Sequence, residues 1–542
     1  MAMRDDFVRE ALPPRAQWPD VVFTLPELHY PARLNAVADL LDVWLARGHG
    51  AAPCLIGSET SWTYAETAGR VNRIANVLVN HLGVIPGQAV LLRSANSPMM
   101  AACILAVIKA GAVAVPTMPM LRAREIAYPL TKAHVTVALC DNRLATDMEA
   151  VRPLAPALDR IVYFHADGPD SLEALMAAES PDFAAADTAA DDVCLVAFTS
   201  GTTGEPKGAM HFHRDLLAVC DSYGKYVLKP RAGDRFIGSP PLAFTFGLGG
   251  LLLFPLRVGA AAVLLERAGP DDLLDAIPRL RPTICFTAPT AYRVILGKVA
   301  PPGEPARDLS SLRAGVSAGE HLPRATFEAW RAATGITLMD GIGATEMLHI
   351  FIGSPAEDAK PGSTGRVVPG YEARILDEAG NPVPDGTVGR LAVRGPTGCR
   401  YMADERQLVY VQNSWNITGD SFVRDADGHY WYQARNDDMI VSAGYNIAGP
   451  EVEGVLSQHP AVAECAVVGM ADPVRGTVVT AVVVLRPGFT GDQAMTETLQ
   501  AYVKATIAPY KYPRAVLYRD ALPKTPTGKL QRFVLRREIT PA

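Results

Sequence analysis

Residues 199–208, Thr-Ser-Gly-Thr-Thr-Gly-Glu-Pro-Lys-Gly, concentrate groups that could do chemistry. Glycines at 201, 204 and 208 let the backbone turn tightly and approach a ligand with no Cβ in the way. Thr199, Ser200, Thr202 and Thr203 supply hydroxyls and Lys207 supplies a cation, a set that suits phosphate oxygens. The preceding apolar run, Val193 to Phe198, reads as a buried strand, and His211 to Val219 reads as the start of a helix. The spacing is not that of the common P-loop, because Gly208 follows Lys207 where Ser or Thr is required. A polar glycine-rich surface loop has the same composition, so composition alone leaves both readings open.

Other stretches carry chemistry of the same kind. In Asp340-Gly-Ile-Gly-Ala-Thr-Glu346 the glycines permit close approach, Thr345 can bond a phosphate oxygen, and Glu346 can hold a hard cation through oxygen. Alone, Gly341-x-Gly343 is a weak signal, and a lone glutamate is more often a solvated residue or a cap. Asp420 closes Trp415-Asn-Ile-Thr-Gly-Asp420, where a solvated turn residue reads as well as a ligand. Phe244 and Phe246 stand beside glycines in Ser239 to Gly250, a segment with no charged residue. They suit either core packing or the wall of a site for a flat acyl group. Lys529 follows a compact Pro/Gly turn near the chain end, a place where lysines ordinarily serve solubility.

The order and wording of these strings resemble the adenylate-forming superfamily of acyl- and aryl-CoA ligases, luciferases and peptide-synthetase adenylation domains. The decade at 199–208 is a long, specific match, and the resemblance runs over almost the whole chain. It implies that Thr199, Ser200, Gly201, Thr202, Thr203, Gly204 and Lys207 hold the ATP phosphates. Thr345 and Glu346 then act at the reacting phosphate, with Glu346 and Thr202 as oxygen donors to Mg2+. Gly315-Val-Ser-Ala-Gly-Glu320 is similar to a stretch beside the adenine and acyl pockets. This implies nucleotide contacts for Ala318, Gly319 and Glu320, and the resemblance of Asp340 to Glu346 implies them for Asp340, Gly341, Ile342 and Gly343, with acyl contacts for Gly315 and Gly341. Asp420 corresponds to the ribose ligand and Arg435 to a nucleotide contact.

In Pro523-Lys-Thr-Pro-Thr-Gly-Lys529 the second lysine corresponds to the one that bridges carboxylate and α-phosphate during adenylation, where a cation offsets charge on the oxygens. Asp437 corresponds to the hinge of a rotating C-terminal domain. Gly444 lies in a motif similar to the thioester-forming one, with Ala443 where Gly or Ser is usual. Met347-Leu-His-Ile-Phe351 resembles the benzoate and 2-aminobenzoate branch, implying that His349 approaches the aryl carboxylate together with Phe244 and Phe246. A satisfied structural histidine is the rival reading of His349.

The surrounding elements fit this use. Strand-like Ala89–Leu92, Ala112–Val115, Val135–Leu139 and Ile161–Phe164 alternate with helical patterns at 34–45, 68–82 and 98–110, so the chain reads α/β. A linker with a short helix at 171–178 precedes the glycine stretch, and a turn-rich β region follows at 362–395. The expected architecture is a large multi-subdomain N-terminal adenylation domain, residues 1–436. A small mobile C-terminal α/β domain, residues 437–542, follows it.

Composition bounds the remaining choices. With 542 residues, 51 Lys and Arg against 57 Asp and Glu, and a net charge of -6, the chain has no basic stripe for nucleic acid. The eight cysteines are dispersed with no C-x-x-C pair, which reads as reduced core thiols and a cytoplasmic setting. The apolar segments 101–115 and 248–265 are interrupted by Lys109 and Arg257 and read as buried elements, not membrane spans. The expected function is ATP-dependent ligation of benzoate or 2-aminobenzoate to coenzyme A through an acyl-adenylate, by a monomer or homodimer. The alternatives are another carboxylate, a carrier-protein thiol as acceptor, or a non-catalytic nucleotide-binding protein of the same fold.

Overall fold

The computed structural model describes residues 4–199, 205–299, 306–320, 322–435, 439–442, 445–472, 475–523 and 532–539. Its centre is the helix Pro98–Lys109. Ser97 starts it by accepting the Met100 amide at 3.1 Å, and Pro98 sits in the first turn, where no N–H is needed. The sequence offers no polar face along this helix, and every one of its residues is buried. At its end the Lys109 ammonium is held at 2.7 Å by both Asp42 and Asn72.

That helix shares one core with strands of two large sheets: Val90 and Leu92 on one side, Leu55, Phe236 and Phe286 on the other. The first sheet has six strands in the order Arg160–Phe164, Val137–Asp141, Ala89–Arg93, Val113–Thr117, Val193–Thr199, Lys207–Phe212. All neighbours are parallel except the last pair. The second has nine strands, with Pro53–Ile56, Ala261–Val263, Arg235–Gly238, Ile284–Thr287, Ala314–Ser317 and Leu338–Gly343 running parallel through its middle. Near-continuous apolar strands covered on both faces account for this mostly parallel α/β layering.

The expectation at the glycine stretch needs correction. Lys207–Phe212 is a strand paired antiparallel with Val193–Thr199, in register from Val193 opposite Phe212 to Thr199 opposite Lys207, and the helix begins only at His213. Residues 208–212 are wholly buried, and so short an apolar run does not separate helix from strand by its pattern. The glycine stretch therefore joins two strands of a hairpin instead of leading into a helix.

The turn-rich region forms the expected β subdomain, five strands built on Trp415–Arg424. Beyond it the hairpin of Met439–Ser442 and Tyr445–Ala448 leads into a smaller α/β unit. There Gly476–Leu485 is flanked by Val462–Asp472 and Ala515–Tyr518 and covered by Gly449–Leu456, Gln493–Thr506 and Arg532–Ile539. Its core is separate, centred on Ile447, Val467, Ala481 and Leu499.

Candidate active site

Parts of three motifs meet among the described residues: Lys207 lies beside Glu346, and Asp420 lines one cavity with Asp340 to Gly343. Lys207 opens its strand, and its Nζ lies 3.7 Å from Glu346 Oε1 and 4.9 Å from the Tyr401 ring centroid. Tyr401 arrives because the 400–402 segment lies beside 208–210, with Met210 donating to the Arg400 carbonyl at 2.8 Å. The Tyr401 hydroxyl donates to the same Glu346 oxygen. Burial, reinforced by the Glu346 charge, pushes that hydroxyl well above its ordinary range, so it remains a proton donor. Among the described residues Glu346 Oε1 takes both contacts. Thr345 begins the short turn that carries Glu346 and lines the adjacent cavity.

A cavity of about 340 Å³ is lined by seven of the nucleotide residues expected from the sequence: Gly319, Glu320, Asp340, Gly341, Ile342, Gly343 and Asp420. Gly319 adopts φ 90°, a left-handed conformation that favours glycine. Thr290 donates to Glu320 at 2.6 Å. Burial raises the Asp340 carboxyl far above the usual carboxylate range, and its Oδ1 has no hydrogen-bond partner among the described residues. A buried orphan acceptor in a nucleotide-sized cavity suits a base amino group. Asp420 lines this cavity, and Arg435 is its register partner on the adjacent strand.

The third region is aromatic. A cavity of about 500 Å³ is lined by Asn96, Phe244, Phe246, Ala318, Gly319 and Tyr445, among others. Asn96 fixes the loop before the phenylalanines, donating to the Pro240 carbonyl at 2.9 Å and accepting the Leu242 amide at 2.7 Å. Behind Phe246 sits His349, 2% exposed and ringed by Phe254, Tyr223, Phe246 and Phe286 at centroid distances of 4.6, 5.4, 5.7 and 6.4 Å. Burial drives its pKa down to about 3, against a small opposing effect of the Phe246 backbone, so the ring is neutral. Neither nitrogen has a hydrogen-bond partner among the described residues. Gly249 makes room for it, since a Cβ there would lie 2.3 Å from His349 Cδ2.

Gly315 stands apart from this group. It lies within Ala314–Ser317, a Cβ on it would meet Leu338 and the Tyr292 hydroxyl, and it lines none of the cavities described here. Ser200, Gly201, Thr202, Thr203, Gly204, Asp437, Gly444 and Lys529 lie outside the described residues, as does the side chain of Arg435.

Three residues that sequence reasoning missed complete the region. Tyr401 carries no local motif, and its role follows only from the bridge to Ala209. Tyr445 meets the Phe244 ring edge-on at 6.2 Å and stacks on Tyr510 at 4.4 Å, while Arg475 lines the nucleotide cavity. Tyr445 immediately follows Gly444 in the thioester-like motif, and that adjacency was the available signal.

For a magnesium ion the donors present fit a phosphate-borne ion better than a protein cage. The described residues contain no group of three or more His, Cys, Asp or Glu side chains able to hold a metal, whereas Glu346 presents a hard carboxylate oxygen.

A large α/β unit with these motifs, two cavities lined by their residues and a smaller α/β unit after it has the architecture of an AMP-binding enzyme. The chain belongs to that family: residues 43–401 match the AMP-binding enzyme family and residues 451–529 the AMP-binding enzyme C-terminal domain. A benzoate–CoA ligase of Thauera aromatica is 38% identical over 517 residues, 95% of this chain and 98% of the relative. The structure of the anthranilate CoA ligase AuaEII with anthranoyl-AMP has a TM-score of 0.73 at 36% identity, covering 94% of this chain and 98% of that one. The amide bond synthetase McbA of Marinactinospora thermotolerans reaches a TM-score of 0.84 at 30% identity, covering 94% and 100%. Among the described residues no helix is long and apolar enough to cross a membrane.

Proposed function

We propose that this acid–thiol ligase activates benzoate or 2-aminobenzoate. The chemistry is ATP-dependent aryl-CoA ligation: the carboxylate attacks the α-phosphate, pyrophosphate leaves, and the CoA thiol then displaces AMP from the acyl-adenylate. The carrying observation is the aromatic wall of the acyl cavity: Phe244 and Phe246 line it, and behind Phe246 lies His349, a neutral imidazole whose nitrogens have no hydrogen-bond partner among the described residues. A neutral imidazole has one N–H donor and one acceptor, so it can orient an aryl carboxyl oxygen and also accept from a 2-amino group. The aromatic surround favours a flat ring over a flexible chain, and the named substrates of the relatives agree with that preference.

The other roles follow the same reading. Lys207, Thr199 and residues 200–204 hold the phosphates, while Tyr401 and Lys207 position Glu346. Mg2+ bound with ATP at Glu346 and Thr202 would withdraw charge from the phosphate oxygens. Asp340 and Asp420 hold adenine and ribose, and Lys529 bridges carboxylate and α-phosphate. The two units meet at 436/437, with Asp437 as the hinge and Gly444 on the thiol route. The orientation described here, with Tyr445 on Phe244, is read as the thiol-transfer state. A cytoplasmic enzyme, monomer or homodimer, is the expected setting.

Pyrophosphate release with ATP and Mg2+, over a panel of benzoate, 2-aminobenzoate, hydroxybenzoates, phenylacetate, medium-chain acids and amino acids, tests this reading. Each acid is run with and without CoA, and the product mass is recorded. Aryl-CoA with the two favoured acids is expected. Preference for a medium-chain or amino acid would refute the substrate assignment, and release with no thioester would redirect the acceptor to a carrier thiol or an amine.

A further inference from the structure

Between the large and small units lies a cavity of about 490 Å³, reached by Phe244 and Thr345 on one side and Tyr445 and Tyr510 on the other. At its wall three charged groups meet away from water. The Lys511 ammonium donates to Glu125 at 2.8 Å and to Glu451 at 2.7 Å. Their side chains are only 6%, 9% and 17% exposed, so solvent does little to screen them.

The chain positions of these residues are the informative part. Lys511 ends the turn Pro509–Lys511, and Glu451 lies on the helix Gly449–Leu456, both in the small unit. Glu125 lies on the helix Ala123–Lys132 of the large unit. The small unit therefore carries a complete ion pair of its own, and Glu125 adds a second carboxylate to it across the boundary. Burial by itself would push the Lys511 ammonium down, but Tyr510, Glu451 and Glu125 outweigh it and keep the lysine charged. Beside this triad Arg124 donates to Gln458 at 3.1 Å, a second polar link between the units.

We propose that Glu125 and the Lys511–Glu451 pair form a latch that holds the small unit in the thiol-transfer orientation, so that latch occupancy sets the rate of the second half-reaction. The inference rests on the orientation assigned under Proposed function. Rotation of the small unit removes Lys511 from Glu125 and leaves the Lys511–Glu451 pair intact. Glu125 is then a positioning residue: it touches neither acid nor nucleotide and acts through where it places Tyr445 and its neighbours.

Glu125→Gln is the cleanest perturbation. Glu125 Oε2 also accepts the Arg122 amide at 3.0 Å to close the first helical turn, and a glutamine oxygen keeps that bond while the charge is lost. Two single-turnover rates are measured with benzoate: pyrophosphate release without CoA, and thioester formation when CoA is mixed with preformed enzyme-bound adenylate. The latch predicts a roughly tenfold fall in thioester formation with adenylation unchanged, the size expected for losing one charge-assisted bond. Unchanged thioester formation, or an equal fall in both steps, would overturn the latch. A fall in adenylation alone would instead overturn the orientation reading, because the latch would then serve the other half-reaction.

Discussion

Gly249→Ala tests whether His349 orients the acid. The new methyl carbon would stand 2.3 Å from His349 Cδ2 and 2.8 Å from Nε2. Contacting carbons rest about 3.5–4.0 Å apart, so the imidazole must retreat by more than about 1 Å. Phe254 and Tyr223 already stand against it with ring centroids at 4.6 and 5.4 Å, so it has little room. The backbone itself tolerates alanine, since Gly249 has φ -62°, and the penalty is therefore one of overpacking. Such penalties run about 1–3 kcal/mol. Falling on acid binding, that cost raises the KM for benzoate by about 5- to 150-fold, with each 1.4 kcal/mol a factor of ten. Acid and ATP titrations of pyrophosphate release, with a thermal melt on the same samples, measure it, and the ATP KM is expected to stay near the parent value. Gly297→Ala is the control. Gly297 lies in the helix Pro289–Val299 with nothing within 4 Å of an added Cβ, and alanine should stabilise it by about 0.8–1 kcal/mol without kinetic change. An unchanged acid KM in folded G249A, or an ATP KM raised equally, would refute the role given to His349.

Tyr401→Phe removes the hydroxyl donated to buried Glu346. A hydrogen bond to a charged group is worth about 1.5–3 kcal/mol, so adenylate formation should slow by about 10- to 100-fold. Thioester formation from preformed adenylate should persist, and a parent-like pyrophosphate rate would refute the role. Acid stability is the remaining prediction. Burial lowers His211 and His213 to about 4 and His349 to about 3, whereas an unfolded histidine takes its proton near 6.5. Between those limits the unfolded chain binds more protons, so stability rises with pH from about 4 to 6.5 and this contribution is fully present above that window. Each proton gives a slope of at most about 1.4 kcal/mol per pH unit, and three together approach about 4. Urea midpoints from pH 4.5 to 7 read it directly, and a flat profile between pH 5 and 6.5 would contradict the buried neutral rings.

What was legible in the sequence was local. The motif containing Asp340, Thr345 and Glu346 is contiguous, so its glycines and oxygen donors could be read as one unit; Asp340 to Gly343 line one cavity and Thr345 another. The buried helix at 98–109, apolar up to Lys109, was legible for the same reason. The helix expected from His211 begins at His213, because His211 and Phe212 end a buried strand and so short a stretch does not separate strand from helix by its pattern. Tyr401 and the Glu125–Lys511–Glu451 triad left no trace in any window. Their partners are 55 to 386 positions away, and only the sheet register and the seating of the small unit bring them into contact. Gly315 stands close in sequence to Ala318 and Gly319, but it is Ala318 and Gly319 that line the acyl cavity, while a Cβ added at Gly315 would meet Leu338 and Tyr292.

The nine-stranded sheet also bears on how the protein is made. Its strand Pro53–Ile56 pairs Leu55 with Ala262 and Ile56 with Val263, partners about two hundred residues further along. At translation speeds of about 5–20 residues per second, the ribosome needs roughly 10–40 s to supply them. During that interval the nascent chain carries an unpaired edge and the helix Pro98–Lys109, whose partners in Arg235–Gly238 and Ile284–Thr287 are also unmade. Expression at lower temperature or with added chaperone capacity should therefore change the soluble yield, while the stability of the finished enzyme stays the same.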